Sequence, residues 1–210
     1  TGLTNGVAAL KMKLGTLPAG PAVLDERGFT SIPDLHDRAW RTSLLYDGSY
    51  GAPGTPDRAM AARDLTTDHV RRLAHLTAFF IVPSMGVPPD RVADQYGAAE
   101  DVFAFLAASR PQPWPGALDA GKAAAGAIVY ARACAACHGD IGADGRLTHF
   151  PNRTAPFDTD PVRAEAFDIP LATAVSRSSP YRGAVEIRQG RGYAAPPLTG
   201  LWQSAPYMHN

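Results

Sequence analysis

The chain has 210 residues, 20 Lys+Arg against 20 Asp+Glu, and a formal net charge of zero. With 45% hydrophobic and 19% charged residues it has a globular composition, which excludes global disorder. A balanced charge without a Lys/Arg block argues against nucleic acid as a partner, and no stretch approaches the roughly 20 apolar residues of a membrane span.

In chain order, residues 1–65 are rich in turn formers, among them Gly15, Pro18, Gly20, Pro21, Gly28 and Pro33, and Tyr46 to Gly54 reads as turns. A helix is predicted from Thr67 to Ile81, with Thr66 or Thr67 as cap and Asp68 in the first turn. Val70, Leu73, Ala74, Thr77, Phe80 and Ile81 share one of its faces, and Pro83 should end it. A second helix is predicted from Ala98 to Ser109, with Val102, Phe103, Phe105 and Leu106 as its apolar side. Pro111, Pro113 and Pro115 then stiffen the stretch before Gly116, which sets a domain boundary at 116. A third helix should run from Ala117 or Asp119 to Ala133; Gly121 and Gly126 either let another helix cross closely or weaken it locally. Residues 139–170 read as loop. No strand-rich region is expected, and the predicted fold class is mostly α with long loops.

The two cysteines are Cys134 and Cys137, and His138 follows the second directly. Two cysteines placed at random fall three apart in about 1% of cases, and with the added histidine the chance is about 3 in 10,000. C-x-x-C-H is the attachment motif of a c-type haem. Each thiol adds to a haem vinyl group as a thioether, and the imidazole ligates the iron. On a helix Cys134 faces both Cys137 and His138, and Ala135 and Ala136 are small enough for a macrocycle to approach. A redox dithiol would need a βαβ setting. A disulfide would close a tight loop with little entropic gain. Zinc would need further ligands, and the other five histidines are distant in sequence. Haem c, its iron held covalently, is therefore the expected cofactor. Such attachment takes place outside the cytoplasm, so a periplasmic or otherwise exported location is expected, and a start at Thr1 fits a mature or trimmed protein.

The run Asp119, Gly121, Gly126, Tyr130, Cys134, Cys137, His138, Gly139 resembles the opening of a class I cytochrome c domain. Arg191 to Trp202, followed by Ala205 to Asn210, resembles a signature of the second domain of bacterial di-haem cytochromes related to cytochrome c peroxidase and rubber oxygenase. Arg41 to Gly48 is similar to a segment between the two haem motifs of those proteins, and Glu100 to Leu106 to the closing helix of a cytochrome c domain. The resemblance implies a c-type haem domain at 117–210, preceded at 1–116 by an incomplete or degenerate cytochrome c-like region without its own haem motif. Those relatives carry two haems and this chain shows one motif. The expectation is either a mono-haem form or, favoured by the abrupt ends, part of a longer chain.

Haem iron in electron carriers usually has Met or His opposite the proximal His. Met208 is the expected sixth ligand, with His209, a residue beyond Asn210 or an open position as alternatives. Arg182, Arg188 and Arg191 are candidates for pairing with haem propionates, Arg191 foremost, and Trp202 for the pocket wall. His75 reads as a boundary histidine and His149 as a solvated loop histidine. Trp40 and Trp114 read as core, and Trp114 also as a residue between haems. The expected function is transfer of single electrons to redox protein partners. The alternative is the haem-relay part of a di-haem peroxidase- or oxygenase-like enzyme, and a third reading is a subunit of a larger complex.

Overall fold

The computed structural model describes residues 2–3, 10–11, 14–16, 29–30, 35–156, 161, 165, 167–179, 181–188 and 192–203. Among them run five α-helices: α1 (Thr67–Ser84), α2 (Tyr96–Ala108), α3 (Ala120–Ala133), α4 (Ala135–His138) and α5 (Ile169–Arg177). Between them lie short antiparallel strands. β1 (Gly2–Leu3) pairs with β2 (Phe29–Thr30). β3 (Ser43–Leu44), β4 (Tyr50–Gly51) and β9 (Glu186–Ile187) form one sheet, with Leu44 opposite Tyr50 and Tyr50 opposite Ile187. β5 (Met60–Ala61), β7 (Leu147–Phe150) and β6 (Asp140–Ile141) form another in that order, with Met60 opposite Phe150. β8 (Thr154–Ala155) pairs with β10 (Tyr193–Ala194).

The fold is therefore mixed α/β, and the expectation of a mostly α fold is wrong. The reason is strand length. Each described strand except β7 is two residues long, too short to show the alternation that betrays a strand in sequence. Residues 139–170, read as loop, hold three of these strands. His149 is a strand residue whose Nδ1 lies 3.4 Å from Asp140.

The helices stand close to their predicted places. The Thr66 hydroxyl accepts from the His69 amide at 3.2 Å and caps α1. The helix runs one residue past Pro83; a proline in the last turn forfeits only its own amide bond there. Leu73, Ala74, Leu76, Ala78 and Phe79 are buried, so its apolar face is wider than predicted. Of the expected side of α2 only Phe103 is buried, while Phe105 is 71% exposed. The two helices are pinned by His75, whose Nε2 lies 2.6 Å from the Glu100 carboxylate while its ring stacks on Tyr96 at 3.8 Å. On α5 the Asp168 carboxylate accepts from the Leu171 amide at 2.9 Å, and Leu171 and Val175 enter the core.

Among the described residues two buried clusters result. The larger joins α1, α2 and α5 to the β3–β4–β9 sheet through Leu73, Phe79, Phe103, Leu171, Tyr50 and Ile187. The smaller is Trp40, Met60, Leu147 and Phe150. In each, residues from before the 111–116 stretch pack on residues from after it. The loops between are sewn by polar side chains. Asn152 accepts from the Thr42 amide and donates to the carbonyls of Trp40 and Arg58 at 2.9 and 3.0 Å. Arg188 pairs with Asp57 at 2.9 Å, so it is an internal bridge and not a solvated charge.

Candidate functional site

The site begins at the C-terminus of α3. Asp119 caps that helix, its carboxylate accepting from the Lys122 amide at 3.0 Å. Alanine fills half of its 14 positions, a composition that favours helix on propensity alone. At Cys134 the backbone bends (φ −117°) and a single further turn, α4, follows. Within it the His138 amide donates to the Cys134 carbonyl at 2.9 Å and the Cys137 amide to the same oxygen at 3.0 Å. That one turn places Cys134, Cys137 and His138 on adjoining positions of one helical surface. Both cysteines are half-buried, and they are not joined to each other in a disulfide.

Gly139 ends the turn at φ +89°, a conformation costly for any residue with a Cβ. A methyl there would also sit 2.5 Å from the His149 carbonyl and 2.9 Å from Leu147. The glycine thus lets β7 lie directly against the end of α4, and the Phe150–Met60–Trp40 cluster backs it. From the other side the Tyr130 hydroxyl donates to the Gly139 carbonyl at 2.8 Å. Burial, then Cys134 and Asp140, push the Tyr130 phenol above its usual range, so it stays protonated as a donor.

The decisive contact comes from far along the chain. His138 Nδ1 lies 2.8 Å from the Pro196 carbonyl. A carbonyl only accepts, so Nδ1 carries the hydrogen and, in the neutral ring, the Nε2 lone pair is left for another partner. Pro196 is held in place from both sides. Before it, β10 pairs with β8, the Ala194 amide donates to the Tyr46 carbonyl at 2.6 Å and the Ala195 amide to the Arg153 carbonyl at 2.9 Å. After it, the Thr199 hydroxyl donates to the Asp37 carboxylate. The segment around Tyr46 is also where Arg41 lies fully buried; burial first, and then the charge of Arg38, bring its guanidinium down to about 9, against Asp57 and Asp47. At neutral pH Arg41 remains a cation inside the loop that meets β10.

The structure thus brings Cys134, Cys137 and His138 together. Trp202 lies further along the loop that carries Pro196: its indole N–H donates to the Gln112 carbonyl at 2.9 Å, and Trp114, half exposed and not core, meets it edge-on with ring centres 5.5 Å apart. Arg191, Met208, His209 and Met12 lie outside the described residues. Of the other methionines, Met60 is fully buried between Trp40 and Phe150, and Met85 is exposed. Sequence reasoning gave no role to Pro196, Asp37 or Thr199; their part depends on contacts across more than 50 residues.

A family model described as RoxA-like, cytochrome c-like matches residues 192–210. The described part of that match is the loop that presents Pro196 to His138. No curated protein and no solved structure matches the chain. The chain therefore contains a short cytochrome c-like stretch, and such a stretch implies haem binding.

The residues fit that group. The imidazole is fixed by its Nδ1 with Nε2 left over, which is how a metal-bound histidine is oriented by its outer hydrogen bond. Among the described residues no three His, Cys, Asp or Glu side chains converge on one point as a metal ion would require. Two thiols and an imidazole that share a surface without converging suit attachment to a macrocycle better than a zinc ion. No described helix is long and apolar enough to cross a membrane.

Proposed function

We propose that this protein is a c-type cytochrome, with haem c joined through thioethers to Cys134 and Cys137 and its iron ligated by His138 Nε2. Bound haem would supply a ferric–ferrous couple, and the function would be to pass single electrons between redox protein partners. The chain's own part is ligation and orientation. Pro196 holds the imidazole in one tautomer and one rotation. Gly139, backed by Leu147 and Phe150, fixes where α4 ends. Asp119 and Tyr130 anchor the helix on either side of the thiols. In this reading residues 117–210 form the haem-bearing part and residues 1–116 a cytochrome c-like part that packs on it. In the same reading, covalent attachment to this motif would belong to the periplasm or another exported compartment.

The observation that carries the reading is the His138–Pro196 hydrogen bond: the carbonyl comes from the stretch matched as cytochrome c-like, and it orients the histidine of the C-x-x-C-H motif. An alkaline pyridine spectrum of the purified protein tests it, with one haem per polypeptide expected and the haem retained through acidified acetone. A colourless protein, or a haem that washes out, ends the proposal. Two haems per native polypeptide would replace the simple carrier with the relay part of a di-haem enzyme.

A further inference from the structure

The loop 192–203 has two fastenings of different kind. Ahead of Pro196 they are backbone hydrogen bonds and strand pairing. Behind it they are side chains: Thr199 on Asp37, and Trp202 on Gln112 and Trp114. Among the described residues neither indole belongs to a buried cluster. The Trp202 contact does something more specific. It joins the loop that orients His138 to the proline-rich stretch Pro111–Gly116, on which α3 and the thiols follow directly.

We propose that Trp202 is a positioning residue: it ties the 111–116 stretch to the loop whose Pro196 carbonyl orients His138, so that a displacement of that stretch is transmitted to the imidazole. The inference rests on the reading of His138 as haem ligand. A carbonyl is aimed only while the chain on both sides of it is held, and a hydrogen bond weakens steeply as its angle departs from linear. The bond from Nδ1–H to a carbonyl raises the basicity of the imidazole. Axial ligation and outer hydrogen bonds are levers on haem potential, and a less basic imidazole favours the ferrous state. Gln112 contributes its main-chain oxygen, so the tie needs the path of the stretch and not the glutamine side chain.

The test is redox titration of the haem-loaded protein and of W202F, W202A, W114A and Q112A, with the ring N–H resonance of His138 followed by NMR. W202F keeps an aromatic ring against Trp114 and removes only the donor. We expect it to move the one-electron equilibrium three- to tenfold toward the ferrous form, about 30–60 mV at 59 mV per decade, with faster solvent exchange of the His138 N–H. W202A should move it at least as far, W114A less and in the same direction, and Q112A not at all. A residue that merely filled space would lower the melting temperature and leave the potential in place. If both Trp202 variants retain haem with an unmoved potential, the positioning role is overturned and the haem reading stands. If the wild-type protein carries no haem, both fall. W202F decides the matter should W202A not fold.

Discussion

α1, with 18 residues, and α3, with 14, are stabilised in opposite ways. α1 buries Leu73, Leu76 and Phe79 against α2, α5 and the β3–β4–β9 sheet. Each such side chain contributes about 1.5–3 kcal/mol when removed from water. In α3 no residue is buried, and Ile128 is 71% exposed. Isolated helices of this length are marginal in water even when rich in alanine. α3 therefore depends on its ends: Asp119 at one, and at the other the joint with α4 where Tyr130 grips Gly139. The lesson is that the element carrying the C-x-x-C-H motif is attached to the packed body mainly through its last turn. That turn is also where Cys134, Cys137 and His138 stand.

The largest effect expected from breaking this arrangement is all or none. Replacing both Cys134 and Cys137 with serine should abolish covalently bound haem, read as loss of haem stain on a denaturing gel, while the fold measured by circular dichroism stays. Loss of the fold as well would show that the packed body is not independent of the motif. Next, Phe150→Ala should cost about 3–5 kcal/mol in urea denaturation, since Phe150 is 0% exposed. Ile128→Ala should change stability by less than about 0.5 kcal/mol. Equal losses would mean that α3 is covered by something that packs as tightly as a core. Gly126→Ala sharpens the same point with the opposite sign. A Cβ at Gly126 meets nothing within 4 Å, so the substitution should strengthen α3 by about 0.5–1 kcal/mol, seen as added helix signal. A loss instead would restore the idea that another helix crosses there.

The smallest effect concerns pH. His69 sits at the start of α1 with its Nε2 donating to the Ala39 carbonyl at 2.8 Å. Burial is the main cause holding its pKa below the usual histidine value; the Ala39 bond opposes this and Arg58 and Arg72 add to it. The native state then binds fewer protons than the unfolded chain in the window just below the unfolded value of about 6.5. Stability contributed by neutral His69 is therefore present above that value and lost as pH falls toward the depressed native value. The melting temperature should decline from about pH 7 to about pH 5 in the wild type and decline less in His69→Gln. An unchanged slope would show that His69 is not the group responsible.

How much of this was legible in the residues depends on the range of the interaction. The three long helices could be read because Thr66, Asp119 and the apolar spacing act within a few residues of one another. The prolines of 111–116 and the pattern at 134–138 were equally local. Two-residue strands such as Met60–Ala61 gave no sign, because alternation needs more residues than they contain, and a partner can lie as far off as Ile187 is from Tyr50 in the β4–β9 pair. The apolar side of α2 misled for a related reason. Val102 and Phe105 have the spacing of a buried face, but burial is decided by what arrives opposite, and nothing described covers them.

Taken alone, the amino-acid sequence determined which groups stand together for the proposed haem: two thiols and an imidazole at helical spacing, with glycine where the turn must end. That chemistry is set by residue type and by distances of one helical turn. Only the tertiary structure decided how the imidazole is aimed. The hydrogen bond that selects its tautomer comes from the main-chain carbonyl of Pro196, and every residue type has such a carbonyl to offer. A carbonyl leaves no mark in a sequence; its position is set by strand pairing and loop fastening over the whole chain.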